Sequence, residues 1–159
     1  MEYYGKIISE NNKGDLKMAT RSAIGIKNKK GEIKAVYCHW DGYPDWVGRV
    51  LVENYDTAGK IEELLALGDI SSLGQRVKPN ENEVHTYDRP VEDVTIAYHR
   101  DRNDELIPAD TSQNIEEFIA KFKDCWCEYF YVFEDGEWYV YETADDRKLV
   151  KDVLEEVEE

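Results

Sequence analysis

The sequence predicts an α+β fold in which a mainly antiparallel sheet, built from two hairpins plus a middle strand, is packed with about four amphipathic helices. Three observations lead there. Two turn-rich loops sit between β-type runs and signal hairpins. Four stretches repeat apolar residues at helical spacing. The two kinds of element come in runs rather than in strict alternation, which argues against a doubly wound parallel sheet. A length of 159 residues, with 42% hydrophobic and 12% aromatic content, suits one domain with a substantial core.

Residues 1–17 end in a polar turn at Glu10–Asp15 and read as an N-terminal extension, leaving 18–159 as the single domain. The runs Thr20–Ile26 and Ile33–Trp40 flank Asn28-Lys29-Lys30-Gly31 as the first hairpin, and its register sets Thr20, Arg21 and Ser22 across from Tyr37, Cys38 and His39. Asp41-Gly42-Tyr43-Pro44 breaks the second strand. Val47, Val50, Leu51 and Tyr55 then recur at helical spacing. Asp56-Thr57 opens a further helix that turns Ile61, Leu64 and Leu65 inward and stops at Gly68. Residues 69–90, punctuated by Gly74, Pro79 and Pro90, read as a long loop, followed by a middle strand at Val91–His99. Ile115, Phe118, Ile119 and Phe122 mark a helix with Glu116 and Glu117 in its first turn, where carboxylates suit the helix dipole.

Asp135-Gly136, between Glu128–Phe133 and Glu137–Tyr141, is the strongest hairpin signal, because both turn positions tolerate positive φ. Thr143-Ala144-Asp145-Asp146 resembles a capping box that starts a last helix with Val150, Val153, Leu154 and Val157 inward. A two-residue turn pairs Phe133 with Trp138 and Tyr131 with Val140 on one face, and leaves Phe130, Val132, Tyr139 and Tyr141 on the other. Both faces are aromatic. Either helices cover both, or one face, with Tyr129, Tyr131, Trp138, Tyr139 and Tyr141, serves as a contact patch for a partner or for a second copy of the chain.

Charge narrows the function. The formal net charge is −15, and it is uneven: residues 1–34 carry eight Lys/Arg and four Asp/Glu, whereas residues 35–159 carry 12 and 31. Such a field repels nucleic acid and attracts basic surfaces, so direct nucleic-acid binding is not expected. The longest apolar runs fall well short of the ~18 residues a membrane helix needs, and the three cysteines, Cys38, Cys125 and Cys127, lack zinc-knuckle spacing. The expectation is a cytoplasmic protein with free thiols, no membrane partner and no cofactor.

Chemistry-bearing residues are densest at Cys38-His39-Trp40-Asp41-Gly42-Tyr43-Pro44-Asp45-Trp46, where a strand gives way to a helix. With Thr20 and Arg21 across the hairpin, His39, Trp40, Asp41, Tyr43 and Trp46 form a candidate ligand pocket for a small anion. A guanidinium beside free helix amides favours phosphate or carboxylate. The alternative for the same segment is a structural turn. His39-x-Asp41 and His99-x-Asp101 repeat a spacing that places two metal ligands on one strand face, with His85 and Asp88 as a further pair. Nucleophile elbows, phosphate loops and dinucleotide fingerprints are absent, so no catalytic residue is assigned.

Met18-Ala19-Thr20-Arg21-Ser22 and Tyr37-Cys38-His39-Trp40-Asp41-Gly42-Tyr43-Pro44 resemble a family of small accessory proteins encoded by tailed bacteriophages and prophages. Gly68-Asp69-Ile70-Ser71-Ser72-Leu73 and Tyr98-His99-Arg100-Asp101-Arg102 extend the likeness, which spans roughly Met18 to Tyr141. The resemblance implies an accessory protein acting in the host cell rather than a virion part.

Three functions follow as expectations. The first is an acidic, non-enzymatic inhibitor of a host defence or nucleic-acid-binding protein, of anti-CRISPR or anti-restriction type, whose carboxylates imitate a phosphate backbone toward a basic surface. Its candidate contacts are the aromatic hairpin and Asp145, Asp146, Asp152, Glu155 and Glu156, with Glu53, Glu62, Glu63 and Asp69 as a second acidic surface. The second is a sponge for a nucleotide signal using the Arg21–His39 segment. The third is a metal-dependent hydrolase using the His-x-Asp pairs.

Overall fold

The structure, a computed structural model, describes residues 19–158, so the extension read at 1–17 lies outside the described residues. The chain runs β1 (Arg21–Lys27), β2 (Ile33–Cys38), a π-helical turn (Pro44–Gly48) leading into α1 (Arg49–Asn54), α2 (Ala58–Leu65) and β3 (Ile70–Ser72). It continues with β4 (Ile96–Ala97), α3 (Tyr98–Arg102), β5 (Asp110–Ser112), α4 (Ile115–Lys123), β6 (Cys127–Glu134), β7 (Glu137–Tyr141), β8 (Lys148–Leu149) and α5 (Val150–Glu158). Strand order is β4-β3-β2-β1-β6-β7-β8, with β5 on the free half of the β2 edge.

Both hairpins form, the second in the expected register with Phe133 facing Trp138, and the first shifted by one: its loop takes five residues, 28–32, with Gly31 at φ 87°, so Ser22 faces Cys38 and Ala23 faces Tyr37. The sheet is nevertheless mixed. The two hairpins meet through a parallel β1–β6 pairing at its centre, and β3 joins β2 in parallel. The middle strand expected at Val91–His99 shrinks to Ile96–Ala97, because Tyr98–Arg102 turns into helix. The long loop contains a strand, β3, that docks its first residue against Cys38. The last helix starts at Val150 rather than near Asp145, since Lys148 and Leu149 first add a strand beside β7.

Strand alternation sorts the core into two layers. Ile24, Val36, Cys38, Tyr131, Trp138 and Val140 point to one face, where α1 (Val50, Leu51), α2 (Ile61, Leu64) and α5 (Val150, Leu154) cover them. Ala23, Ala35, Tyr37, Phe130, Val132 and Tyr141 point to the other, under Phe118, Ile119 and Phe122 of α4. Thr57 and Asn114 cap α2 and α4 by accepting the Lys60 and Glu117 amides.

This layering decides between the two readings of the aromatic hairpin. Tyr131, Trp138 and Tyr141 are buried, and Tyr129 and Tyr139 are half-buried. The contact patch expected there is therefore corrected to core: helices cover both faces, and the indole of Trp138 donates to the Tyr55 carbonyl at 2.7 Å.

Candidate functional site

The expected pocket splits in two because His39 and Trp40 are consecutive, so one continues along β2 and the other leads into the turn. Arg21 and His39 face the α4 side together, next to Tyr37, and both are buried. The Tyr37 hydroxyl lies 2.7 Å from His39 Nδ1, and the Trp40 ring meets the imidazole edge-on at 4.5 Å between centroids. Burial, reinforced by the Arg21 and Arg102 charges, pushes His39 down to about 4, so it is neutral at physiological pH. Asp69 sits beneath the same corner. Its Oδ1 accepts the Tyr37 amide at 3.0 Å, and burial raises its carboxyl to about 7 despite that bond. Asp69 is thus interior and is withdrawn from the acidic surface on which it was placed. Burial likewise pushes Cys38 and Cys125 up to about 12, so these thiols are not nucleophiles.

Asp41, in the left-handed region at φ 57°, reverses the chain after Trp40. Gly42 follows because its amide donates to the Thr20 carbonyl at 2.8 Å, and a Cβ there would come within 2.8 Å of the Ser22 side chain. Thr20 therefore contributes backbone to this turn. Tyr131 fastens the turn from below, its hydroxyl donating to the Gly42 carbonyl at 2.7 Å.

Beyond the turn, Asp41 and Trp46 leave the Arg21 corner and line an open groove of about 400 Å³ between the π-helical turn, α1 and residues 72–75 and 90–96. Its lining holds five carboxylates, Asp41, Asp45, Glu53, Glu92 and Asp93, against one cation, Arg49, which Asp45 already engages at 2.6 Å. Val50, Leu73, Val94 and Ile96 supply the apolar part. Trp46 stands 47% exposed at this groove. Tyr43 is also exposed but does not line the groove. Glu92 and Asp93 fall in the stretch expected as the start of the middle strand, but they lie in a loop before Ile96–Ala97, and no motif marks them as groove residues.

The His-x-Asp pairs do not assemble. His99 and Asp101 lie on α3 instead of a strand, so the shared face they were assigned does not exist. The His99 Nδ1 contacts the Asp104 carbonyl at 2.8 Å. Asp101 is a structural hub: it accepts the Ala97 amide at 2.7 Å and Arg100 at 2.8 Å, and meets His85 Nε2 at 3.2 Å. His85 Nδ1 accepts the Val91 amide, so the Nε2 proton is the one offered to Asp101. These bonds lace the long loop to α3. Asp41 is exposed at its turn while His39 is buried. Among the described residues, no group of three or more His, Cys, Asp or Glu side chains is placed to hold a metal ion, which removes the geometric basis of the hydrolase reading.

On α5, Asp152, Glu155 and Glu156 are exposed, as is Asp145 before it, whereas Asp146 is half-buried and lies 3.9 Å from Lys148. Among the described residues, no helix is long and apolar enough to cross a membrane. Compared with protein-family models, curated proteins and solved structures, the chain gives no match.

Proposed function

We propose that this protein acts by binding, without catalysis, and that its groove beside Trp46 takes a basic surface of a host protein. In this reading it is a phage-type accessory protein that blocks a defence or nucleic-acid-binding protein of the host cell. The observation that carries the reading is the groove itself: five carboxylates and one already engaged arginine around an apolar floor, with an exposed indole at hand. Lysine and arginine side chains suit such a place. Their charges meet carboxylates, their stems lie on Val50 and Leu73, and a guanidinium can stack on Trp46. The chain's −15 charge supports the same partner chemistry at long range, since it raises encounter rates with basic surfaces and discourages nucleic acid.

The test is capture of host proteins on the immobilised full-length chain, beside a groove variant carrying Glu53→Lys, Glu92→Lys and Asp93→Lys. The reading expects a basic, nucleic-acid-binding protein on the wild type, displaced by duplex DNA and missing from the variant. Identical retention by both proteins contradicts it.

A further inference from the structure

We infer that Arg21 anchors a second site, independent of the groove, which takes one oxyanion group of a small molecule, phosphate or carboxylate, with His39 beside it.

Arg21 is 3% exposed, yet its one hydrogen bond among the described residues is a long 3.5 Å contact from Nη1 to the Ala19 carbonyl. Its Nε and Nη2 are buried and have no acceptor. Those two nitrogens form one edge of the guanidinium, the edge whose parallel N–H bonds match a carboxylate or phosphate in bidentate fashion. A buried guanidinium without a counter-charge is among the costliest arrangements in a protein interior. It persists here in a chain with 35 carboxylates, none of which, among the described residues, pairs with it. Asp69, at the same corner, spends Oδ1 on the Tyr37 amide and leaves Oδ2 buried and unpartnered rather than reaching Arg21.

The surroundings suit an anion. The Ser22–Cys38 pairing puts Arg21, one step further on, across from His39. With the Tyr37 hydroxyl held at Nδ1, a neutral His39 can carry its proton on Nε2 as a further donor. Arg102, close enough for its charge to act on His39, adds positive potential, although Asp104 engages it at 2.6 Å. An oxyanion here satisfies both free Arg21 donors and gives His39 a reason to take up a proton, which ties anion binding to imidazole titration.

The full-length protein is titrated with inorganic phosphate and, separately, with acetate at constant ionic strength, following thermal unfolding and the His39 ring resonances. The inference expects a saturable rise in melting temperature with at least one of the two anions and an upward move of the His39 titration. Whichever anion acts at the lower concentration identifies the group as phosphoryl or carboxylate. Arg21→Met is expected to melt above the wild type without anion and to bind at least about tenfold more weakly, the loss expected for charge-assisted bonds. Should Arg21→Met fail to fold, the wild-type His39 titration decides alone. No saturable response to either anion, an unmoved His39 titration, or an Arg21→Met protein that responds like the wild type overturns the inference.

Discussion

The Tyr37 hydroxyl lies 2.7 Å from His39 Nδ1 in a buried corner where the Tyr37 amide also donates to Asp69. Two titrations of opposite sense meet there. Burial, together with the Arg21 and Arg102 charges, depresses His39 to about 4 from 6.5, so the unfolded chain takes the proton first. The stability associated with this ring is complete above pH 6.5 and is lost as pH falls toward 4. Asp69 is raised to about 7 from 3.8, so its contribution is complete below 3.8 and is lost as pH rises toward 7.

His39→Gln should therefore flatten the acid limb of the stability profile, and Asp69→Asn should remove the decline toward neutral pH. Each change is on the order of 3–4 kcal/mol across its window. Denaturant unfolding between pH 4 and 8 reads both. Parallel profiles for the wild type and His39→Gln would show that His39 does not titrate in this range.

Turn chemistry makes a second prediction. Gly136 sits at φ 81° with nothing within 4 Å of where a Cβ would be, so Gly136→Ala costs only backbone strain, about 1 kcal/mol. Gly59, within α2 and equally open, lacks the positive φ, and Gly59→Ala should stabilise by about 0.5 kcal/mol. Thermal melts of the two variants should move in opposite directions.

The covered hairpin makes a third. Trp138→Phe removes the donor to the buried Tyr55 carbonyl as well as part of a packed ring, and should cost about 2–3 kcal/mol. Tyr139→Phe, on a half-buried neighbour held by the Arg147 guanidinium at 4.3 Å from its ring, should stay within about 0.5 kcal/mol. Similar losses for both would mean that the indole bond contributes little.

What the sequence carried was local. Asp135-Gly136 and the alternation around it placed Phe133 opposite Trp138, and the Asn28–Gly31 turn signal marked the first hairpin, although its five-residue loop shifts the pairing by one. What it lacked was long-range or too short to show a period. Nothing within β1 announces that Ile24 pairs in parallel with Tyr131, more than a hundred residues away. Ile96–Ala97 and Lys148–Leu149 are two-residue strands with no alternation to detect. Whether the aromatic hairpin is surface or core depends on where α4 and α5 land, and the groove depends on Glu92 and Asp93 being held near Trp46 by the Asp101 hub. Trp46 and Asp41 were legible as residues of interest; their separation from Arg21 was not.

The proposed contact for a basic partner is the groove beside Trp46. Its most direct test is the salt dependence of affinity for the captured host protein, compared among three forms: the wild type, Trp46→Ala with Glu53→Lys, Glu92→Lys and Asp93→Lys, and a helix variant with Asp152→Lys, Glu155→Lys and Glu156→Lys. The wild type should show a steep salt slope. The groove variant should lose at least about a hundredfold in affinity, as removal of an aromatic anchor and several charge contacts implies, and its slope should flatten. The helix variant should mainly slow association. A groove variant that keeps wild-type affinity and slope would show that the basic partner binds elsewhere.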